Sequence, residues 1–231
     1  YATAIQRGGL RFLGQLFVLP EVQEHGVGRA LLNAVLPLDG TPQACVSSAD
    51  LRAIAVYARH GLAPQWPYYV VQLDAEHVRR QQWQAFELAH VMAWDAKLSR
   101  RTRPQDLAFL VNERQGAAYW LRRSGKIIGY GFINQLFRGS DAIFYGGDRT
   151  VSVGPVGVLD ADDARDATLA MARAAAEQGG TVMIEIMGPH PALPALLDAG
   201  FKITEVQTFM ASDPNMVGDP TRYIPISGAH G

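Results

Sequence analysis

A single cysteine, Cys45, stands in 231 residues, so no disulfide can form within the chain, which suits a reducing compartment. No apolar run approaches the roughly 18 residues that span a bilayer, and no signal-peptide pattern opens the sequence. The expected location is therefore the cytoplasm, away from the membrane. An excess of charge is also lacking: 21 Lys and Arg face 22 Asp and Glu, for a net charge of −1. Nucleic acid is not an expected partner, because a polyanion is normally met by a basic face. The longest basic cluster, Arg100-Arg101-Thr102-Arg103, reads as a solvated helix end. No Cys/His spacing suggests zinc. Asp160, Asp162, Asp163 and Asp166 lack the glycine and terminal glutamate of a calcium loop. They read as an acidic helix start, so no metal is expected.

What is present is apolar: 48% of the residues, enough for a sizeable core in one large or two small domains. Tyr1–Gln6 and Leu10–Leu19 read as strands joined at Gly8-Gly9, with Pro20 ending the second. Val27, Ala30, Leu31, Ala34 and Val35 share one face of a helix ended by Pro37. A short buried strand at 44–46 follows, then a helix at 51–60 that Asp50 can cap and Gly61 ends. A strand at 68–73 closes this stretch. Next come a long helix over 76–99, a hairpin of strands 117–122 and 127–134, and strands at 142–145 and 151–159. A helix over 164–178, a strand at 182–187, a helix at 192–199 and a strand at 201–210 complete the set. The Pro- and Gly-rich tail after Ser212 is expected to lie across the surface. The order strand, helix, strand, helix, strand occurs twice, over 10–71 and 151–210, and "YARHGLAP" and "LLDAGFKI" occupy matching places. This weak internal duplication predicts two copies of one fold, a first unit over 1–74 and a second over 75–231.

Chemistry is concentrated in Leu16-Phe17-Val18-Leu19-Pro20-Glu21-Val22-Gln23-Glu24-His25-Gly26-Val27-Gly28-Arg29-Ala30-Leu31-Leu32. A strand runs into a glycine-containing loop that opens a helix. The first amides of a helix lack internal acceptors, and its dipole adds partial positive charge there, so a phosphate or diphosphate is the natural occupant. Gly26 and Gly28 permit close backbone approach, and Arg29 adds a cation at the rim. The loop is no P-loop, because no Gly-Lys-Ser/Thr follows, and Leu31 stands where a dinucleotide fingerprint requires Gly or Ala. A simple tight turn is the alternative reading.

The full pattern resembles the GNAT superfamily of N-acetyltransferases. Val18, Pro20, Gln23, Gly26, Gly28, Leu31 and Leu32 fall in register with its main motif, and Asp50, Ala53, Tyr57, Arg59, Gly61 and Leu62 with the motif that follows. The resemblance implies an α/β fold with a mixed, mostly antiparallel sheet flanked by helices, here in two tandem copies. It implies acetyl-CoA as co-substrate, bound by Phe17, Val18, Gln23, Glu24, His25, Gly26, Val27, Gly28, Arg29 and Ala30. It also implies a splayed strand that frees an N–H near Phe17 or Val18 to polarise the thioester carbonyl. Tyr57 stands where the family places a phenol that serves the departing thiolate; the alternative is a packed helix tyrosine with its hydroxyl at the surface.

Asp50 replaces the family's Asn, and no carboxylate lies between Leu10 and Leu19, so no general base is assigned. Glu21, Glu24 and His25 read as solvent-facing, and His60 as a helix-end residue. Cys45, between Ala44 and Val46, reads as a buried strand residue. The family's first strand and helices have no counterpart before Tyr1; the remaining strands would expose an edge that a second copy could cover, giving a homodimer. In the second unit, carboxylates occupy the place of the phosphate loop and Leu196 that of the tyrosine, so this copy reads as degenerate. The expected activity is acetyl transfer from acetyl-CoA to a small amine; the alternative is a non-catalytic acyl-CoA-binding or regulatory module.

Overall fold

The computed structural model describes residues 1–75, 88–136 and 150–226. Ten strands among these form one sheet. They are β1 (Ala2–Arg7), β2 (Leu10–Leu16), β3 (Gln43–Ser47), β4 (Ala63–Ala75), β5 (Ala117–Arg123), β6 (Lys126–Leu136), β7 (Thr150–Val158), β8 (Gly180–Met187), β9 (Lys202–Ala211) and β10 (Tyr223–Ile224). The helices are α1 (Val27–Val35), α2 (Leu51–Arg59), α3 (Leu88–Ser99), α4 (Pro104–Asn112), α5 (Ala161–Ala176) and α6 (Ala192–Asp198). The strand order is β1-β2-β3-β9-β4-β8-β7-β6-β5, with β10 added to β7. Only the β2–β3 and β7–β8 pairs are parallel, so the expected mixed, mostly antiparallel α/β architecture is what the chain adopts. No helix among the described residues is long and apolar enough to cross a membrane.

The two repeats are interlocked. Strand β9, from the second, pairs with β3 through Thr208–Ala211 and with β4 along its other side. Strand β4, from the first, pairs with β8 from Tyr68 to Ala75. Each repeat thus inserts a strand into the other, and the sheet runs unbroken through both. Alternation along the strands sends Cys45 and Met210 to one face, packed with Leu32 of α1 and Tyr57 of α2. Phe209 points to the opposite face, with Phe12, Tyr68 and Met187. On the first face, α5 and α6 cover Val153, Val182 and Ile184. On the second, α3 and α4 cover Tyr130 and Phe132.

Three expectations change. The helix α4 was not foreseen: Pro104 at its first turn starts a helix rather than breaking one. The basic cluster before it is not a solvated helix end, because Arg101 is 4% and Arg103 1% exposed. Arg103 donates from Nε and Nη2 to the Asp95 carboxylate at 2.9 and 2.7 Å, and Tyr130 and Tyr223 join the same network. A guanidinium can be buried only when a carboxylate and further polar groups replace its water. The tail also does not lie on the surface: Val217, Tyr223 and Ile224 are buried, and β10 pairs with β7. The strand expected at 142–145 and the first part of the 76–99 helix lie outside the described residues.

Candidate functional site

Strands β2 and β3 run parallel only from Arg11–Gln43 to Leu13–Cys45. Beyond that point they part. Gly14 is skipped in the β1–β2 register, where Leu13 pairs with Ala4 and Gln15 with Thr3. Such a bulge bends its strand and turns it away from its neighbour. The parted segment continues through Phe17 and Val18, turns at Pro20–Val22 and enters α1.

The start of α1 is bare. Gly26 precedes it at φ 82°, in the left-handed region open to glycine, and no side chain caps the helix. The first helical bond is Ala30 N–H to Gly26 O at 3.0 Å. The amides of Val27, Gly28 and Arg29 therefore have no acceptor among the described residues, as the geometry of a helix start requires. Glu24, His25, Gly26, Val27 and Arg29 are exposed, so solvent reaches this turn. A Cβ on Gly28 would lie 3.6 Å from Val18 Cγ2, which places the parted strand directly against the helix start.

Two expected contacts are corrected. The Phe17 N–H is committed to Tyr1 O at 2.9 Å, and Phe17 O accepts from the Tyr1 amino group at 2.8 Å. Antiparallel pairing with the beginning of β1 thus removes Phe17 as the donor to a thioester oxygen. Its ring is exposed and packs against Tyr1. Val18 remains, since its N–H has no acceptor among the described residues. Ala30 is likewise withdrawn as an amide donor, because its N–H closes the helix.

Gln23 has a structural task in this arrangement. Its Nε2 donates to Val18 O at 3.0 Å, and its Oε1 accepts from Arg52 Nη1 at 3.4 Å. Holding the Val18 carbonyl fixes the plane of the Val18–Leu19 peptide, just before the chain turns at Pro20–Val22. Arg52 in turn grips Asp50, which caps α2 by accepting from Arg52 N–H at 2.8 Å. The substitution of Asp for Asn in the motif is thus accounted for by a cap and an ion pair, and the paired Arg52 lowers the Asp50 pKa. His25 is exposed, with Nδ1 2.7 Å from Gln23 O.

Tyr57 packs with Leu13, Cys45, Leu32 and Met210, at the point where β2 and β3 part. It is 8% exposed, and no described residue bonds its hydroxyl. Burial, and to a lesser degree Cys45 nearby, push its pKa up to about 12. The phenol is therefore a hydrogen-bond donor across the neutral range. Burial also pushes the Cys45 thiol up to about 12, which makes it an inert packing group. His60 is not only a helix-end residue: its Nε2 lies 2.7 Å from Leu36 O, tying the ends of α1 and α2 together. No group of His, Cys, Asp or Glu suited to a metal occurs among the described residues.

The second repeat differs at its helix start. At the start of α5, Asp160 accepts from the Asp162 N–H at 3.1 Å. Asp163 in the same turn is paired with Arg123. The chain's own carboxylates hold the place that α1 leaves open.

No protein-family model matches the sequence, and no curated protein matches it. Solved structures do. A protein assigned as an acetyltransferase from Pyrococcus horikoshii superimposes over 100% of this chain and 75% of its own, with a TM-score of 0.71 at 13% identity. A GCN5-related N-acetyltransferase from Sphaerobacter thermophilus does so over 100% and 79%, with a TM-score of 0.60 at 15% identity. A tandem GNAT protein from the clavulanic acid biosynthesis pathway matches over 90% and 76%, with a TM-score of 0.53 at 17% identity. With its two repeats, parted parallel strands and flanking helices, this chain has the fold of the GCN5-related N-acetyltransferases, in tandem.

Proposed function

We propose that the first repeat is an acyltransferase site that moves an acetyl group from acetyl-CoA to the amine of a small acceptor. The observation that carries this reading is the continuity between two features of the first repeat. Parted strand backbone ends at Val18, and Val18 lies against a helix start whose Val27, Gly28 and Arg29 amides have no acceptor among the described residues. The diphosphate of coenzyme A takes those amides, favoured by the helix dipole. The pantetheine arm follows the parted strand, and the Val18 N–H donates to the thioester oxygen as charge develops on it.

The acceptor nitrogen attacks the carbonyl carbon; a C–N bond forms and the C–S bond breaks. Tyr57 donates a hydrogen bond to the leaving sulfur. A phenol that keeps its proton to about 12 holds it more firmly than a thiol with an ordinary pKa near 8.5. Tyr57 therefore stabilises the thiolate without surrendering its proton, and the proton released by the amine leaves through water. This division of labour needs no carboxylate on β2, which has none.

The test is Gly28→Asp, which copies into α1 the acidic start that α5 already has. A carboxylate in the first turn suits the helix but repels a diphosphate. The variant is expected to fold normally and to lose coenzyme A affinity by about tenfold or more, a change of about 1.4 kcal/mol. Unchanged affinity in calorimetry would remove the basis of the proposal. In the wild-type protein, thiol release from acetyl-CoA with a panel of primary amines separates an enzyme from a module that only binds the thioester.

A further inference from the structure

The second repeat has its own parting of parallel strands, and it is filled. Strands β7 and β8 pair from Thr150–Thr181 to Val153–Ile184 and no further. Beyond that point β7 is taken by the tail: Tyr223 pairs with Gly157 and Ile224 with Val156, antiparallel. The pairing is extended by Val158 N–H donating to Arg222 O at 3.1 Å. Strand β7 is shaped to receive it. A Cβ on Gly154 would stand 2.4 Å from Pro225 O, closer than any side chain can lie, so the tail's backbone rests directly on β7 there. The tail is also keyed in place. Ile224 is fully buried among Val156, Val158 and Val182. The Tyr223 hydroxyl accepts from Arg103, whose guanidinium is held by Asp95. Asp219 accepts from Thr221 N–H and from Arg222 Nε, bending the chain into the slot.

We infer that the segment from Asp219 to Ile226 is an internal occupant of the second repeat's strand slot, and that it excludes acyl-CoA from that repeat. It lies where the first repeat leaves its parted backbone open, and its amides and carbonyls satisfy β7 in the way a bound chain would. With the amides at the start of α5 already capped by Asp160, both halves of a second cofactor site are filled by the protein itself. The molecule then has one acyl-CoA site for two copies of the fold. This inference rests on the reading of the first repeat given above.

Two measurements on the full chain test it. Calorimetry with coenzyme A is expected to give one molecule bound per chain; two would overturn the inference and leave the proposed function standing. Hydrogen exchange is expected to show the Val156 and Val158 amides protected. Gly154→Ala, which pushes against Pro225, and Ile224→Ser, which weakens the tail's own anchor, should each raise exchange across 156–158 by roughly tenfold or more. Exchange at Phe12 and Leu13 and coenzyme A affinity should stay as in the wild type. Rapid exchange of those amides in the wild-type protein would overturn the inference. So would folded variants of both kinds that leave 156–158 as protected as before. If no coenzyme A binds at all, the proposed function fails, and the exchange data alone decide whether the tail fills the slot.

Discussion

The exchange of strands between repeats makes a quantitative claim about stability. Phe209 is 1% exposed and stacks on Trp66, with ring centroids 5.4 Å apart and planes inclined by 8°. It sits on β9, paired with Val46 of β3 on one side and Trp66 of β4 on the other. Truncating such a ring to alanine removes its buried surface and leaves a cavity, at a cost of about 3–5 kcal/mol. With a urea dependence near 3 kcal/mol per M, the unfolding midpoint should fall by about 1–1.7 M. The distinctive expectation concerns where the loss is felt. Trp66 reports the shared strands, whereas Trp94 and Trp120, 5.5 Å apart, report the packing of α3 on β5. Versions of Phe209→Ala that keep as tryptophans either Trp66 alone or the Trp94–Trp120 pair alone should give midpoints that fall together, because the sheet runs through β9 and β4 into both repeats. Val206→Ala, on the exposed part of the same strand, should change stability by no more than about 0.5 kcal/mol. A Trp94–Trp120 transition that keeps its wild-type midpoint while that of Trp66 moves would refute the interlocked sheet.

Tyr57→Phe removes a hydroxyl that no described residue bonds, so coenzyme A affinity and stability should hold while turnover drops by about 10²-fold or more; steady-state kinetics beside calorimetry checks this. Arg103→Met strands the Asp95 carboxylate in the interior and should cost about 3–5 kcal/mol, whereas adding Asp95→Leu should recover much of that loss, read by urea denaturation. Burial pushes His190 down to about 4, and its Nδ1 accepts from the Ala192 N–H. Because the unfolded chain takes up this proton near 6.5 and the folded chain only near 4, stability should be full above 6.5 and fall as pH drops through that window, by roughly 3 kcal/mol. His190→Gln should flatten that part of the pH profile.

Much of the site was legible because its determinants are local. Gly26 and Gly28 after Pro20 prescribe a turn and an uncapped helix start, and backbone geometry alone leaves those amides bare. Asp50 reads as a cap from its place before Leu51, and it caps. The acidic run at 160–166 reads as a helix start, and Asp160 serves as one. Composition and periodicity likewise determine the alternation of strand and helix and its recurrence along the chain.

What the sequence by itself could not decide is which segments meet. The commitment of Phe17 N–H to Tyr1 depends on the β1–β2 register and its bulge at Gly14. The burial of Arg101 and Arg103 depends on Asp95, Tyr130 and Tyr223, which approach from three different elements; a basic tetrapeptide carries no mark of the carboxylate that will neutralise it. The insertion of β9 between β3 and β4, and of the tail against β7, is a matter of long-range pairing. Any apolar strand of suitable length satisfies the same backbone hydrogen bonds, so local pattern leaves the partner open. The closing of the whole sheet selects among those partners, and the arrangement adopted buries Phe209, Tyr223 and Ile224 together.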